Sequence, residues 1–334
     1  MPTIAFFNNK GGVGKTSLVF HLSWMFSQMG QSVLAVDLDP QANLTSMYFD
    51  EDTLETLWPS DGPHERTIVG ALAKLIKGTG DVSAARVLEI APKLNLVAGD
   101  LALSKFEDNL SGSWPGCLGG SEPAFRTTTA FFRAIGRAKV LAEAEWVFVD
   151  IGPNLGAINR AALIACDYVV VPLAPDLFSI QGLRNLGPTL ISWRMEWKKR
   201  LDEAPKNMGI TLPSGRMEPL GYVLMQYAIK ASDNPVKAYT KWMSRVPKEY
   251  AENVRNDCDD VGDNPANDPS CLAQLKHYRS LAPMAMEARK PIFSLKSSDG
   301  AIGSHLYAVE AAKVDFAKLA KKIIKRVGER ESRK

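Results

Sequence analysis

The stretch Phe6-Phe7-Asn8-Asn9-Lys10-Gly11-Gly12-Val13-Gly14-Lys15-Thr16-Ser17 decides the fold. The apolar run from Thr3 to Phe7 reads as a buried strand. The run from Leu18 to Phe26 reads as a helix that closes near Gly30, a residue suited to a helix C-terminal cap. A glycine-rich turn between a buried strand and a helix is the setting of a phosphate-binding loop. Glycines let backbone N–H groups close on a phosphate with no Cβ in the way, and the helix N-terminus adds the positive end of its dipole. On this reading Gly11, Gly12, Val13, Gly14, Lys15, Thr16 and Ser17 cradle a nucleotide. Lys15 reaches the β- and γ-phosphates, and the Thr16 hydroxyl ligates Mg²⁺. The ordinary motif needs a glycine five residues before Gly14. That position is Asn9, and Lys10 stands beside it.

Working outward, two more apolar runs end in acids. Ser32-Val33-Leu34-Ala35-Val36-Asp37 leads into Leu38-Asp39-Pro40-Gln41-Ala42-Asn43. Glu145-Trp146-Val147-Phe148-Val149-Asp150 leads into Ile151-Gly152-Pro153-Asn154-Leu155-Gly156. Continuous apolar runs suit parallel strands covered on both faces, and ligands bind beyond the C-terminal ends of such strands. Asp150 sits where an acid that holds Mg²⁺ through water would sit. Asp37 and Asp39 are alternate residues of an extended segment, so both carboxylates are expected to face the phosphates. Further strands are expected at Leu94–Gly99, Tyr168–Leu173 and Leu220–Tyr227, and helices at Ile68–Ile76, Phe125–Leu141, Ala157–Cys166, Phe178–Leu201 and Leu306–Val327. The second-last of these helices has a potential break at Pro188. Repeated β-α units predict a doubly wound α/β fold with a mostly parallel sheet and helices on both faces.

The run Lys10-Gly11-Gly12-Val13-Gly14-Lys15-Thr16 resembles the deviant Walker A loop of the ParA/MinD/Soj class of P-loop ATPases. The resemblance continues in Val36-Asp37-Leu38-Asp39-Pro40-Gln41-Ala42-Asn43, which is similar to that class's switch I, and in Asp150–Gly156, which is similar to switch II. Gly152 and Asn154 depart from the residues most frequent there. The pattern is strong over 3–45 and 145–190, weak over 46–140, and returns at Ala288-Arg289-Lys290-Pro291-Ile292. The resemblance implies ATP and Mg²⁺ as cofactors and a slow, Mg-dependent ATP hydrolase. It implies catalytic roles for Lys10, Lys15 and Asp39, with Lys10 reaching a partner's nucleotide across a homodimer and Asp39 orienting the attacking water. Thr16, Asp37 and Asp150 would serve the metal, Gly152 and Pro153 would belong to switch II, and the Gly152 backbone N–H would sense the γ-phosphate. By position in the class, the adenine pocket would use Met225, Gln226 and Pro283. A ParA-type partition or positioning cycle is implied: ATP closes a dimer, the dimer grips DNA without reading sequence, and an adaptor or ParB-like activating protein resets it by stimulating hydrolysis. The place implied is the cytoplasm, on the nucleoid.

Candidate cations for DNA are Arg194, Lys198 and Lys199 beside Trp193 and Trp197, then Lys237, Lys241 and Arg245, and the basic face of the last helix with Lys322 and Lys325. Such contacts neutralise phosphates and weaken with salt. That last helix carries Val309, Ala312, Phe316, Leu319, Ile323 and Val327 at helical spacing. The stripe fits packing on the sheet, and its alternative is a MinD-like membrane anchor. An ATP-gated regulator is a further alternative. Metabolic ligases and iron–sulfur carriers share the loop but require a glutaminase domain or closely placed cysteines. Cys117, Cys166, Cys258 and Cys271 are scattered.

The composition is that of a globular chain: 334 residues, 46% apolar, 23% charged, net charge +3. So small a net charge makes any nucleic-acid contact a matter of local patches. No apolar run approaches a membrane span. The first residues enter the first strand directly, so neither a signal peptide nor a preceding helix-turn-helix domain is expected. The whole chain, 1–334, is expected to form one ATPase domain with surface insertions near 105–124 and 245–280. Ser111–Ser121, rich in glycine and serine, reads as a surface loop, and the acid-rich 256–265 as a solvated loop.

Overall fold

The computed structural model describes residues 1–227 and 241–333. Among them an eight-stranded sheet runs in the order β3-β4-β2-β5-β1-β6-β7-β8. Its strands are β1 (Thr3–Phe6), β2 (Val33–Asp37), β3 (Leu88–Ala91), β4 (Leu94–Val97), β5 (Trp146–Asp150), β6 (Tyr168–Leu173), β7 (Glu218–Tyr227) and β8 (Cys271–Lys276). All neighbours pair in parallel except β3, which lies antiparallel against β4 and forms one edge of the sheet. The edge strand β3 escapes a sequence reading because it is short and half-buried, with the mixed run Leu-Glu-Ile-Ala.

Side-chain alternation along the strands feeds two separate cores. Ala5, Leu34, Val147, Val169 and Leu224 face one; Ile4, Phe6, Val33, Phe148, Tyr168 and Met225 face the other. The first core is covered by α4 (Ile68–Ile76), α5 (Glu107–Gly116), α6 (Glu122–Thr128), α7 (Ala130–Leu141), α8 (Ala157–Ile164) and α9 (Leu177–Asp202). The second is covered by α1 (Lys15–Gln28), α2 (Asn43–Tyr48), α3 (Glu51–Leu57), α11 (Leu281–Ala288) and α12 (Ser304–Glu331). The short α10 (Val246–Tyr250) lies against α9.

Three local expectations change. The Gly/Ser-rich segment 111–121 is helical through most of its length, as α5 and the 3-10 turn Cys117–Gly119. Its composition is poor for a helix, but Leu110, Trp114 and Cys117 are buried against the first core, and tertiary packing overrides propensity. The 125–141 helix is two helices, α6 and α7, meeting at Thr129. Conversely, α9 runs unbroken through Pro188. The adjacent Gly187 lies so near the carbonyl oxygen of Asn253 that a Cβ there would stand 1.8 Å from it. That close crossing, rather than a kink, explains the glycine before the proline.

The apolar stripe of α12 packs on the sheet: Phe316 is 3% exposed, and Leu319 and Ile323 are fully buried. This is the packing role expected for it. No helix among the described residues is long and apolar enough to cross a membrane.

Candidate nucleotide and metal site

Strand register brings the candidate residues together. Phe6 of β1 and Asp37 of β2 both pair with Asp150 of β5, so the loop after β1 and the two acids share one edge of the sheet. Gly12 and Gly14 take left-handed φ of 71° and 87°, after which Lys15 opens α1. That geometry favours glycine and turns the backbone N–H groups of the loop inward. The loop lines a cavity of about 550 Å³ with Gly11, Gly12, Gly14, Lys15, Thr16 and Ser17. Val13 is 2% exposed and anchors the loop to the core. Asp39, Gln41, Asn43 and Pro153 close the cavity from the two candidate switch segments.

The Lys15 ammonium donates to the Lys10 carbonyl at 3.3 Å. Burial lowers its pKa, while Asp150 and Asp39 pull it back up. Asp39 is 6% exposed and accepts from the Gln41 backbone at 3.0 Å. A Cβ on Gly152 would stand 3.2 Å from the Asp39 carboxylate, so the bare backbone of residue 152 makes room for that acid. Asn159 fixes the same segment by donating to the carbonyls of Gly152 at 2.8 Å and Asn154 at 2.6 Å. Glu107 of α5 accepts from the first N–H groups of α8, from Ala157 and from Ile158 at 2.9 Å.

Asp37 and Asp150 are both fully buried, yet they differ. Asp37 accepts from the Thr45 backbone at 2.9 Å, from the Thr45 hydroxyl at 2.7 Å and from the Asp39 backbone at 3.2 Å. These bonds turn the Asp37 carboxylate onto its own loop, which corrects the expectation that both acids of 37–39 face the phosphates; of the three acids only Asp39 lines the cavity itself, and Asp37 and Asp150 lie behind its wall. The reason is local: Ala42 adopts a left-handed φ of 51°, α2 begins at once, and Thr45 folds back onto the Asp37 carboxylate. Gly99 completes that nest. Its N–H donates to Thr45 at 2.8 Å, and a Cβ there would lie 2.6 Å from the Asp37 carboxyl carbon. Burial raises the Asp37 pKa to about 7 against the pull of these bonds.

Neither oxygen of Asp150 has a hydrogen-bond partner. Burial and then the neighbouring Asp37 push its pKa well up, opposed by the Thr16 hydroxyl and Lys15. A buried carboxylate without partners is costly unless a cation or another ligand meets it. Here it faces a hydroxyl and the phosphate loop, and this donor set of carboxylate and hydroxyl oxygens suits a hard divalent ion such as Mg²⁺.

The apolar end of the cavity lies between α1, α2 and α11, with Phe20, Met47, Ala282, Ala285, Met286 and Ile292. Pro283 does not line it, although Ala282 and Ala285 of the same helix do. Met225 lines a smaller adjoining cavity of about 70 Å³ with Ser17, His277 and Tyr278. Lys237 and the side chain of Gln226 fall outside the described residues. His21 joins the two cavities. It is buried, stacked on Phe316 at 4.9 Å, and donates from Nδ1 to the Ser17 carbonyl at 2.6 Å while Nε2 accepts from the Ile292 backbone at 3.1 Å. Burial lowers its pKa to about 4, so it is a neutral strut. Sequence reasoning missed His21, Thr45, Gly99 and the α11 residues, because each gains its role from segments distant in the chain.

The candidate cations do not form one surface. Lys198 and Lys199 on α9 and Lys322 and Lys325 on α12 lie on opposite faces of the sheet. Arg194 is half-buried and donates to the Met217 carbonyl at 2.8 Å, which corrects its reading as a surface cation. Lys322 donates to the Cys271 carbonyl, and Arg245 pairs with Glu249 at 3.4 Å. Lys198, Lys199, Lys241 and Lys325 are exposed.

A family model described as an AAA domain, AAA_31, matches residues 1–202. The chain is 31% identical to protein IncC of Escherichia coli over 196 residues, 59% of this chain and 47% of IncC. It is 29% identical to the chromosome partitioning protein ParA of Caulobacter vibrioides over 202 residues, 60% of this chain and 67% of that protein. The chain belongs to the family of ParA-type partition ATPases. The ParA-like match is concentrated where the loop and both acidic strand ends lie. It spans about half to two thirds of the length of the curated relatives, 47% of IncC and 65% of a Methanocaldococcus jannaschii protein. The fold extends further. A Corynebacterium diphtheriae protein, DIP2308, superposes with a TM-score of 0.71 at 23% identity, covering 98% of this chain and 99% of the other. The ATP complex of a Cyanothece McdA variant superposes at 0.63 and 17% identity, covering 98% and 96%. These confirm the doubly wound P-loop fold.

Proposed function

We propose that this ParA-type protein is an Mg²⁺-dependent ATP hydrolase whose nucleotide-bound state is a homodimer. The observation that carries this reading is the unpartnered, fully buried Asp150 carboxylate facing Thr16 and the phosphate loop. Its supports are the family, the cavity and the ATP complex of the McdA variant of like fold. The loop amides and Lys15 hold the β- and γ-phosphates. Thr16 and Asp150 would hold Mg²⁺, which would supply charge neutralisation to the phosphates. Asp37 acts one step back, through Thr45 and the Asp39 backbone. Asp39 accepts a hydrogen bond from the attacking water and aims it at the γ-phosphate. The Gly152 backbone, held by Asn159, lies beside Asp39 and couples switch II to that acid. Hydrolysis then requires positioning and charge neutralisation rather than a covalent intermediate on the protein.

The cycle fits partition or positioning of a DNA cargo. ATP closes the dimer, the dimer binds DNA non-specifically on the nucleoid, and an activating protein accelerates hydrolysis to release it. Lys198, Lys199, Lys241 and Lys325 are the cations available for phosphates. A membrane-bound cycle is disfavoured because the apolar stripe of α12 is buried against the sheet.

The test is co-sedimentation with plasmid DNA and, separately, with anionic vesicles, each with ATP, ADP or no nucleotide. Pelleting with DNA only when ATP is present is expected, and it should weaken with salt. Pelleting with vesicles and not with DNA contradicts the reading.

A further inference from the structure

Lys10 is not poised outward. Its ammonium forms an ion pair with Asp176 of the same chain and lies 5.7 Å from the centre of the Phe178 ring. Both partners are partly covered, 29% and 35% exposed. The backbone of the loop is fastened to the same segment. Asn8 donates to the Pro172 carbonyl at 2.7 Å and accepts from the Lys10 N–H at 2.9 Å. Gly182 gives Asn9 its space, since a Cβ there would stand 3.0 Å from the Asn9 side-chain oxygen. The front of the phosphate loop therefore rests on the β6–α9 connection. Asp176 is its only acid.

The two oxygens of Asp176 have separate tasks. One caps α9 by accepting from the Ser179 N–H at 2.8 Å; the other holds Lys10. Just beyond, Leu177 and Phe178 are 42% and 72% exposed, an apolar pair beside the paired lysine. An ammonium engaged by a carboxylate in its own chain cannot at the same time pair with a phosphate in another.

We propose that Asp176 is a latch that holds Lys10 within its own chain and must release it when two nucleotide-loaded chains close on each other. This deepens the dimer reading above and rests on it. The latch opposes dimer closure before nucleotide is bound, and the negative charge of the partner's phosphates is what displaces the carboxylate. Asp176 is thus a positioning residue that acts through Lys10.

The test is Asp176→Asn. Asparagine retains the helix cap, because its side-chain oxygen still accepts from Ser179, but it presents no charge to Lys10. The full-length protein is measured by sedimentation with Mg²⁺ and a non-hydrolysable ATP analogue. Two partly exposed ion pairs, one per chain, are removed on the monomer side, so the variant dimer should be about two- to thirtyfold tighter than wild type. In a Lys10→Ala background the same substitution should change nothing. Unchanged or weaker dimerisation of Asp176→Asn, with a normally dimerising wild type, overturns the latch alone. A gain that persists in the Lys10→Ala background also overturns it, since the carboxylate would then act without the lysine. Wild-type protein that stays monomeric with the analogue overturns the dimer reading and the latch with it.

Discussion

The ends of β2 and β5 are near twins in sequence and opposites in chemistry. Each is an apolar strand closing on an aspartate, and the two aspartates are paired neighbours in the sheet. Asp37 is saturated by Thr45 and by the backbone of Asp39, whereas neither Asp150 oxygen has a formed hydrogen bond and the hydroxyl beside it is that of Thr16 in the phosphate loop. A strand-terminal acid alone does not announce a metal site. What separates the satisfied acid from the candidate ligand is whether the following loop folds back to bond it. After β2 a left-handed Ala42 turns the chain into α2 and delivers Thr45. After β5 the chain leaves through Gly152 and Pro153, and Asn159 ties that loop by its carbonyls while leaving the carboxylate alone.

The sharpest way to break this contrast is to substitute each acid. Asp150→Asn should lower ATP turnover by more than about a hundredfold, the scale of a lost transition-state charge contact. Its apo thermal stability should hold or rise, because a buried charge without partners is gone. A stable variant with near-normal turnover would remove Asp150 from the metal site. Asp37→Ala should do the reverse in emphasis. It should cost about 2–3 kcal/mol of stability in denaturant unfolding, from bonds lost and a buried Thr45 O–H left without its acceptor. An unfolding midpoint equal to that of wild type would mean the Thr45 nest contributes nothing.

pH sharpens the same comparison. The folded pKa of Asp37 is raised to about 7 and that of Asp150 is raised too, both above their ordinary values. The folded state therefore binds more protons than the unfolded one across that window. The contribution of Asp37 to apo stability is present at acid pH and lost as pH rises through about 7, and that of Asp150 falls in the same direction as pH rises above the ordinary carboxylate range. The difference in stability between wild type and Asp150→Asn should grow in favour of the variant as pH rises above the ordinary carboxylate range, and saturating Mg²⁺-nucleotide should shrink it. A pH-independent difference would contradict the buried-acid account. The smallest expected effect is at Gly152→Ala. The new methyl presses on Asp39 from 3.2 Å and should lower turnover several-fold, about 1 kcal/mol in the barrier, with little change in melting temperature. Equal turnover would show that Asp39 has room to yield.

What could be read in advance follows the same line. The phosphate loop, β5 and the register of acids are legible because each is a local pattern: glycines at fixed offsets, apolar runs, an acid at the end. The satisfied state of Asp37 is not legible, because it depends on a left-handed alanine and on Gly99, 54 residues from Thr45 in the chain. Likewise α5 is hidden behind Ser111-Gly112-Ser113, and only the burial of Leu110 and Trp114 makes it helical. The apolar end of the cavity is assembled from α2 and α11, which no spacing rule connects. Arg194 shows the converse error: a basic cluster in sequence was divided by burial, one member capping a backbone carbonyl and the others facing solvent.

The most direct test of the account is the Mg²⁺ dependence of nucleotide affinity, measured calorimetrically with a non-hydrolysable ATP analogue on wild type, Asp150→Asn and Asp37→Asn. The account predicts that Mg²⁺ tightens binding by at least about tenfold in wild type and in Asp37→Asn, and not in Asp150→Asn. Mg²⁺ enhancement that survives in Asp150→Asn but disappears in Asp37→Asn would contradict it.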